Sequence, residues 1–180
     1  MTWDAVLPVV AIPAARSGGR ALIGEARFHQ IYTQLAPALR GYLARIGGDT
    51  MSAEDLLQET FLRLLQAEVG HLADAQLRSY LYRTATNLVR DRWRAAQRDP
   101  VVATAAESST GPAAGDLDIP RLFAKLTLRE RSLLWLAYVE ECDHREIAER
   151  LGFSPLSVRV SLFRARKRFA AILAKGGFRR

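Results

Sequence analysis

The chain has 180 residues, 49% of them apolar, and 26 Lys and Arg against 19 Asp and Glu give a net charge of +7 and a pI near 10.2. That is enough apolar material for one domain or two small ones, with a basic balance that fits nucleic acid, an anionic membrane or an acidic partner. Cys142 is the only cysteine, and the histidines at 29, 71 and 144 have no ligand spacing. An internal disulfide and a cysteine-rich zinc cluster are therefore excluded, no metal or other cofactor is expected, and a reducing cytoplasm is the expected location.

Residues 1–24 contain AVLPVVAIPAA, broken by Pro8 and Pro13 and preceded by Asp4 rather than a basic leader. The run is too short to span a bilayer and makes a poor signal peptide, so a loosely ordered extension and no membrane insertion are expected. LLWLAYV, from Leu133, is also too short. From Glu25 to Ile46 the apolar spacing predicts a helix that Pro37 should kink or divide. SAEDLLQETFLRLLQ follows, with Ser52 as cap and Asp55 at the third helical position. On its wheel Leu57, Thr60, Phe61 and Leu64 face a core. Asp55, Gln58, Glu59, Leu62 and Gln66 line the other side, either as a plain solvated face or as an acidic stripe for a basic protein partner.

After a loop near Gly70, Gln76 to Arg98 carries six arginines and one acid. Leu77, Tyr80, Leu81, Thr84 and Leu88 make its core stripe. Tyr82, Thr86, Val89 and Trp93 lie on another face, bordered by Arg83, Asn87, Arg90 and Arg94. Rings among cations suit single-stranded or partly opened nucleic acid, because bases stack while arginines track phosphates. For Tyr82 and Val89, packing on a neighbouring helix is the stronger expectation.

Residues 99–118, rich in Ala, Ser, Thr, Gly and Pro, hold four acids and no base and read as a flexible linker. Fully extended they reach ~65 Å at ~3.3 Å per residue. Charge divides with them: residues 1–98 are +3, the linker −4 and residues 119–180 +8. The chain is thus read as all-α, with an N-terminal helical bundle over 25–98 and a second, strongly basic helical domain over 119–180.

In that second domain Thr127 with Glu130, and Asp143 with Glu146, spell two capping boxes. Ser154 and Pro155 open a third helix, and Gly152 sits where the preceding one must stop. Ala148 and Gly152 are small where two helices would cross, which is helix-turn-helix logic. Val158, Leu162, Ala165, Phe169 and Ile172 form the inner stripe of the last helix. Leu156, Val160, Phe163 and Lys167, flanked by Arg159 and Arg164, form the outer one. Apolar groups there either pack on thymine methyls in a major groove or meet a protein partner when DNA is absent.

Taken in order, AEDLLQETFLRLL, YLYRTATNLVRDRWR and EIAERLGFSPLSVRVSLFRARKRF resemble conserved regions two and four of bacterial RNA polymerase sigma factors of the extracytoplasmic-function group, over about residues 25–175. The resemblance implies a non-enzymatic subunit that binds core polymerase through its β′ clamp helices and β flap, and directs it to promoters. It implies polymerase contacts at Asp55, Gln58 and Glu59. It places Arg83, Asn87, Arg90, Trp93 and Arg94 at the minus-ten element, together with a loop from about Val69 to Ser79. Ser157, Arg159, Val160, Phe163, Arg164 and Lys167 fall at the minus-thirty-five element. An anti-sigma protein is a further partner in the family. Bulky Leu156 after the Ser-Pro cap, and Arg159-Val160-Ser161 where relatives often have a Lys-Ser-Arg run, depart from the pattern. The alternative is a helix-turn-helix regulator of duplex DNA that acts without polymerase.

Overall fold

The computed structural model describes residues 21–47, 52–98 and 119–176. The linker and most of the N-terminal extension lie outside them. Every regular element among the described residues is an α-helix: α1 Glu25–Gly47, α2 Ala53–Gln66, α3 Asp74–Arg98, α4 Ile119–Ala124, α5 Leu128–Tyr138, α6 His144–Leu151 and α7 Pro155–Lys175.

Helices α1, α2 and α3 pack on one another around Leu39, Leu43, Ile46, Leu56, Leu57, Leu64, Leu77 and Leu81, all fully buried. Each such leucine contributes roughly 1.5–3 kcal/mol relative to exposure. This explains Pro37. It sits inside α1, which runs on through it and is not divided there, so of the two expected outcomes division does not occur. The missing hydrogen bond costs about 3 kcal/mol. Leu35, Ala36, Leu39 and Tyr42, buried on both sides of it, outweigh that loss.

The connection into α3 is shorter than the predicted loop, since Asp74 to Ser79 are already helical. Arg27 of α1 ties this connection down by donating to Gly70 O (2.7 Å), to Leu72 O and to Asp74 Oδ1 (2.9 Å). Gly70 must be glycine, because a Cβ there would lie 2.6 Å from Leu22 O.

In the second module α7 packs on α5 and α6, with short α4 against its end. Both predicted capping boxes are formed, at Thr127–Glu130 and at Asp143–Glu146. Gly152 ends α6 at φ 72°, the left-handed conformation that the turn requires. Glu141 adopts φ 51° where α5 gives way to the loop, closed by Cys142 N–H donating to Leu136 O at 2.9 Å.

The modules also pack on each other, α3 against α6 and α1 against α5. Tyr82 and Val89 are each 1% exposed, as their helix-packing reading requires. Tyr82 packs edge-on against Tyr42, and the guanidinium of Arg150 lies 4.8 Å over its ring.

Asp143 Oδ1 accepts from both Arg145 N and Glu146 N at 2.8 Å. Asp143→Ala should therefore cost about 1–2 kcal/mol. Urea unfolding of the whole chain measures this. A loss below about 0.3 kcal/mol would show that the cap does not hold α6.

Candidate nucleic-acid interface

Helix α7 owes its outward face to its start. Ser154 Oγ accepts from Ser157 N at 3.2 Å and Pro155 stands in the first turn. Val158, Leu162 and Ala165 are then buried beneath, and the opposite stripe is left open. Leu156 is 80% exposed, Phe163 60% and Val160 50%, with Ser157, Arg159, Arg164 and Lys167 exposed around them. Ser157 Oγ lies 2.7 Å from Ser154 Oγ, so its hydroxyl is partly engaged by the cap. Two other basic groups of α7, though exposed, have partners on α5. Arg166 donates to Tyr138 OH at 3.3 Å, and Arg168 pairs with Glu130 at 3.3 Å. Among the described residues, Arg159, Arg164 and Lys167 enter no ion pair and face water. Ser161 instead accepts from Arg129 at 3.1 Å, which joins α7 to α5.

The predicted set on α3 is split. Trp93, 49% exposed, and Arg94 stand clear at the far end of the helix. Arg83, Asn87 and Arg90 are half-buried and line a small cavity closed by Leu128, Arg129, Ser132, Arg150, Leu151 and Phe153 of the second module. Arg83 Nη2 donates to Glu149 O at 2.6 Å, and Arg90 lies 3.7 Å from Asp91. Arg150, 5% exposed, and Arg129, stacked 4.3 Å over Phe153, were not foreseen at this seam. Their partners are tens of residues away, and helical periodicity carries no trace of them.

On α2 the expected stripe is outward. Asp55 and Gln58 are exposed, and Glu59 is half-exposed beside Leu62 (51%) and Leu65 (40%). Glu59 pairs with Arg63 one turn on at 2.9 Å, and Glu54 pairs with Arg40 at 2.9 Å. Solvated pairs of this kind contribute only a few tenths of a kcal/mol, so Glu59 is still able to exchange its partner. An apolar groove that the sequence did not reveal opens between α4, α5 and α7, lined by Phe123, Leu134, Trp135, Tyr138, Val139 and Phe169.

No group of acidic, histidine and cysteine side chains among the described residues could hold a metal, and no described helix is long and apolar enough to cross a membrane. Burial pushes the Cys142 thiol up to about 11, so at neutral pH it is protonated and a poor nucleophile.

Residues 31–99 match the family model of sigma-70 region 2, and residues 116–169 match that of sigma-70 region 4. The chain is 30% identical over 158 residues to the ECF RNA polymerase sigma factor SigL of Mycobacterium tuberculosis, covering 82% of this chain and 89% of that one. This chain belongs to the extracytoplasmic-function RNA polymerase sigma factors. It is also 27% identical over 156 residues to the RNA polymerase sigma factor CarQ of Myxococcus xanthus, covering 82% of this sigma factor and 90% of CarQ. Two solved structures share the fold. CnrH, in complex with the cytosolic domain of CnrY, has a TM-score of 0.61 at 24% identity and covers 84% of this chain and 90% of its own. RpoE of Bartonella quintana, in complex with the anti-sigma factor NepR, has a TM-score of 0.61 at 23% identity and covers 82% and 96%. Membership of this family favours a polymerase subunit over a free-standing helix-turn-helix regulator.

Arg164→Ala should weaken duplex binding and reduce the steepness of its salt dependence by about 0.9 in log–log slope, the share of one phosphate contact. Fluorescence anisotropy across a salt series measures both. An unchanged slope would remove Arg164 from the phosphate contacts.

Proposed function

We propose that this sigma factor divides promoter recognition between its two modules and joins them to polymerase through α2. Helix α7 enters the major groove of the minus-thirty-five element. There Arg159 and Arg164 take base edges or phosphates, Val160 and Phe163 meet apolar base edges, and Ser157 and Lys167 flank them. Helix α3 holds the opened minus-ten strand along Arg83, Asn87, Arg90, Trp93 and Arg94. Asp55, Gln58 and Glu59 dock on the β′ clamp helices. The apolar groove between α4, α5 and α7 receives the β flap.

The observation that carries this reading is the outward stripe of α7. Three large apolar side chains stand in water among cations that enter no ion pair with the described residues. An ordinary bundle helix would bury such a stripe, whereas a groove or a partner covers it on binding. The same stripe is open to an anti-sigma protein when DNA is absent. The protein acts by binding, without chemistry of its own, and works in the cytoplasm beside polymerase.

Run-off transcription with core polymerase and a promoter library tests the function. Transcripts from defined starts support it. Duplex binding without polymerase association or transcripts supports the free-standing regulator instead. For the docking surface, Glu59→Arg should weaken polymerase binding about tenfold or more by reversing one interfacial charge. It should leave duplex affinity unchanged. Polymerase association that survives Glu59→Arg would move the docking site off α2.

A further inference from the structure

Leu156 has no part in the reading above, yet among the described residues it is the most exposed large apolar side chain, at 80%. It does not stand alone. At about 100° per residue, Leu156, Val160 and Phe163 fall within about 60° of one another on α7 and cover about 10.5 Å of its length. Scattered exposed leucines are ordinary. A continuous apolar ridge rimmed by Arg159, Arg164 and Lys167, none of them in an ion pair among the described residues, fits a partner that is apolar and anionic at once. The major groove is such a partner, with phosphates along its edges and the thymine 5-methyl as the apolar group among its base edges.

The first turn of α7 is held firmly. Ser154 Oγ accepts from Ser157 N at 3.2 Å, Pro155 has its φ fixed by its ring, and Val158 is buried to 0% exposure behind them. Phe153, just before the cap, lies under the Arg129 guanidinium at 4.3 Å, and Arg129 also donates to Ser161 at 3.1 Å, so this stretch is tied to α5 on both sides of Leu156. The same turn offers a duplex little hydrogen bonding. Pro155 has no N–H, and the hydroxyls of Ser154 and Ser157 lie 2.7 Å apart and engage each other. Leu156 neither donates nor accepts. The N-terminal residues of a groove-reading helix are the ones that meet base edges. A contact made there by Leu156 senses a methyl group and is blind to whether the neighbouring exocyclic group is an oxygen or an amine.

We propose that Leu156 selects a base pair carrying a 5-methyl group in the minus-thirty-five element, which is thymine in unmodified DNA and equally 5-methylcytosine. The proposal rests on the assignment of α7 to that element and adds a residue and a chemical rule to it. Leu156 is also a position where this chain departs from its family's pattern, so the rule belongs to this chain. Uracil lacks the methyl of thymine and keeps its hydrogen-bonding groups, whereas 5-methylcytosine keeps the methyl and exchanges O4 for an amine. A polar side chain would follow the hydrogen-bonding groups, and Leu156 follows the methyl. Val160 lies about 6 Å further along the helix, close to two base-pair steps of ~3.4 Å, so it meets a different base pair.

The test uses the full chain assembled with core polymerase, and the promoter duplex that this complex selects most strongly from a random library. Each thymine of the upstream element is replaced in turn by deoxyuridine, and affinity is read by competition. At one position the wild type should lose about fourfold, the share of one buried methyl. With a C·G pair at that position, 5-methylation of the cytosine should raise affinity by a similar factor. In Leu156→Ala both differences should vanish there, while uracil effects at other positions persist and helix content by circular dichroism stays that of the wild type. A wild type indifferent to uracil at every position would overturn the proposal, as would a methyl effect that Leu156→Ala retains. A thymine preference that 5-methylcytosine does not reproduce would show that O4 is read, and would overturn the methyl rule. If the selected duplexes share no upstream element, the assignment of α7 has itself failed, and the role of Leu156 falls with it.

Discussion

A phenol hydroxyl buried to 1% exposure needs a hydrogen-bond partner, and for Tyr82 that partner is a carboxylate 58 residues away in the other module. Burial and the neighbouring Glu140 carboxylate both push the phenol well above its ordinary range, so it stays protonated and stays a donor. This interaction gives the two modules a defined relative position. Tyr42, Arg150 and Trp135 pack around it, and α3 is pressed against α6 along the same line. One helix therefore completes the core of the first module, meets the second, and carries the arginines assigned to the opened strand.

Charge acts in two ways in this molecule. On α7 the cations at 159, 164 and 167 stand in water beside an exposed apolar stripe. On α3, Arg83 donates to Glu149 O and Arg90 lies beside Asp91, and both line the small cavity at the seam with the second module. Arg83, Asn87 and Arg90 are half-buried at the seam between the modules.

Helix ends were legible in the sequence because capping is local. Ser52, Thr127, Asp143 and Ser154 each satisfy backbone N–H groups within three residues, and Gly152 takes the left-handed turn that only a few residue types adopt readily. The outward stripes of α2 and α7 were legible for a related reason, since periodicity at 3.6 residues per turn separates a buried face from an open one. That α1 is not divided at Pro37 could not be read locally, because the cost of the proline is outweighed by core contacts from α2 and α3 that no local rule includes.

The sequence by itself determined the all-α class, the positions of the caps, the face α7 presents and the family to which these motifs belong. All of these follow from neighbours within one or two helical turns, or from ordered motifs. Only the tertiary structure decided that Arg83, Asn87 and Arg90 face the second module, that Arg150 is buried on Tyr82, and that Glu140 bridges the two halves. Those outcomes depend on which surfaces of two separate helical bodies meet. That choice is made by shape and by hydrogen-bond satisfaction between residues far apart in the chain, where periodicity is silent.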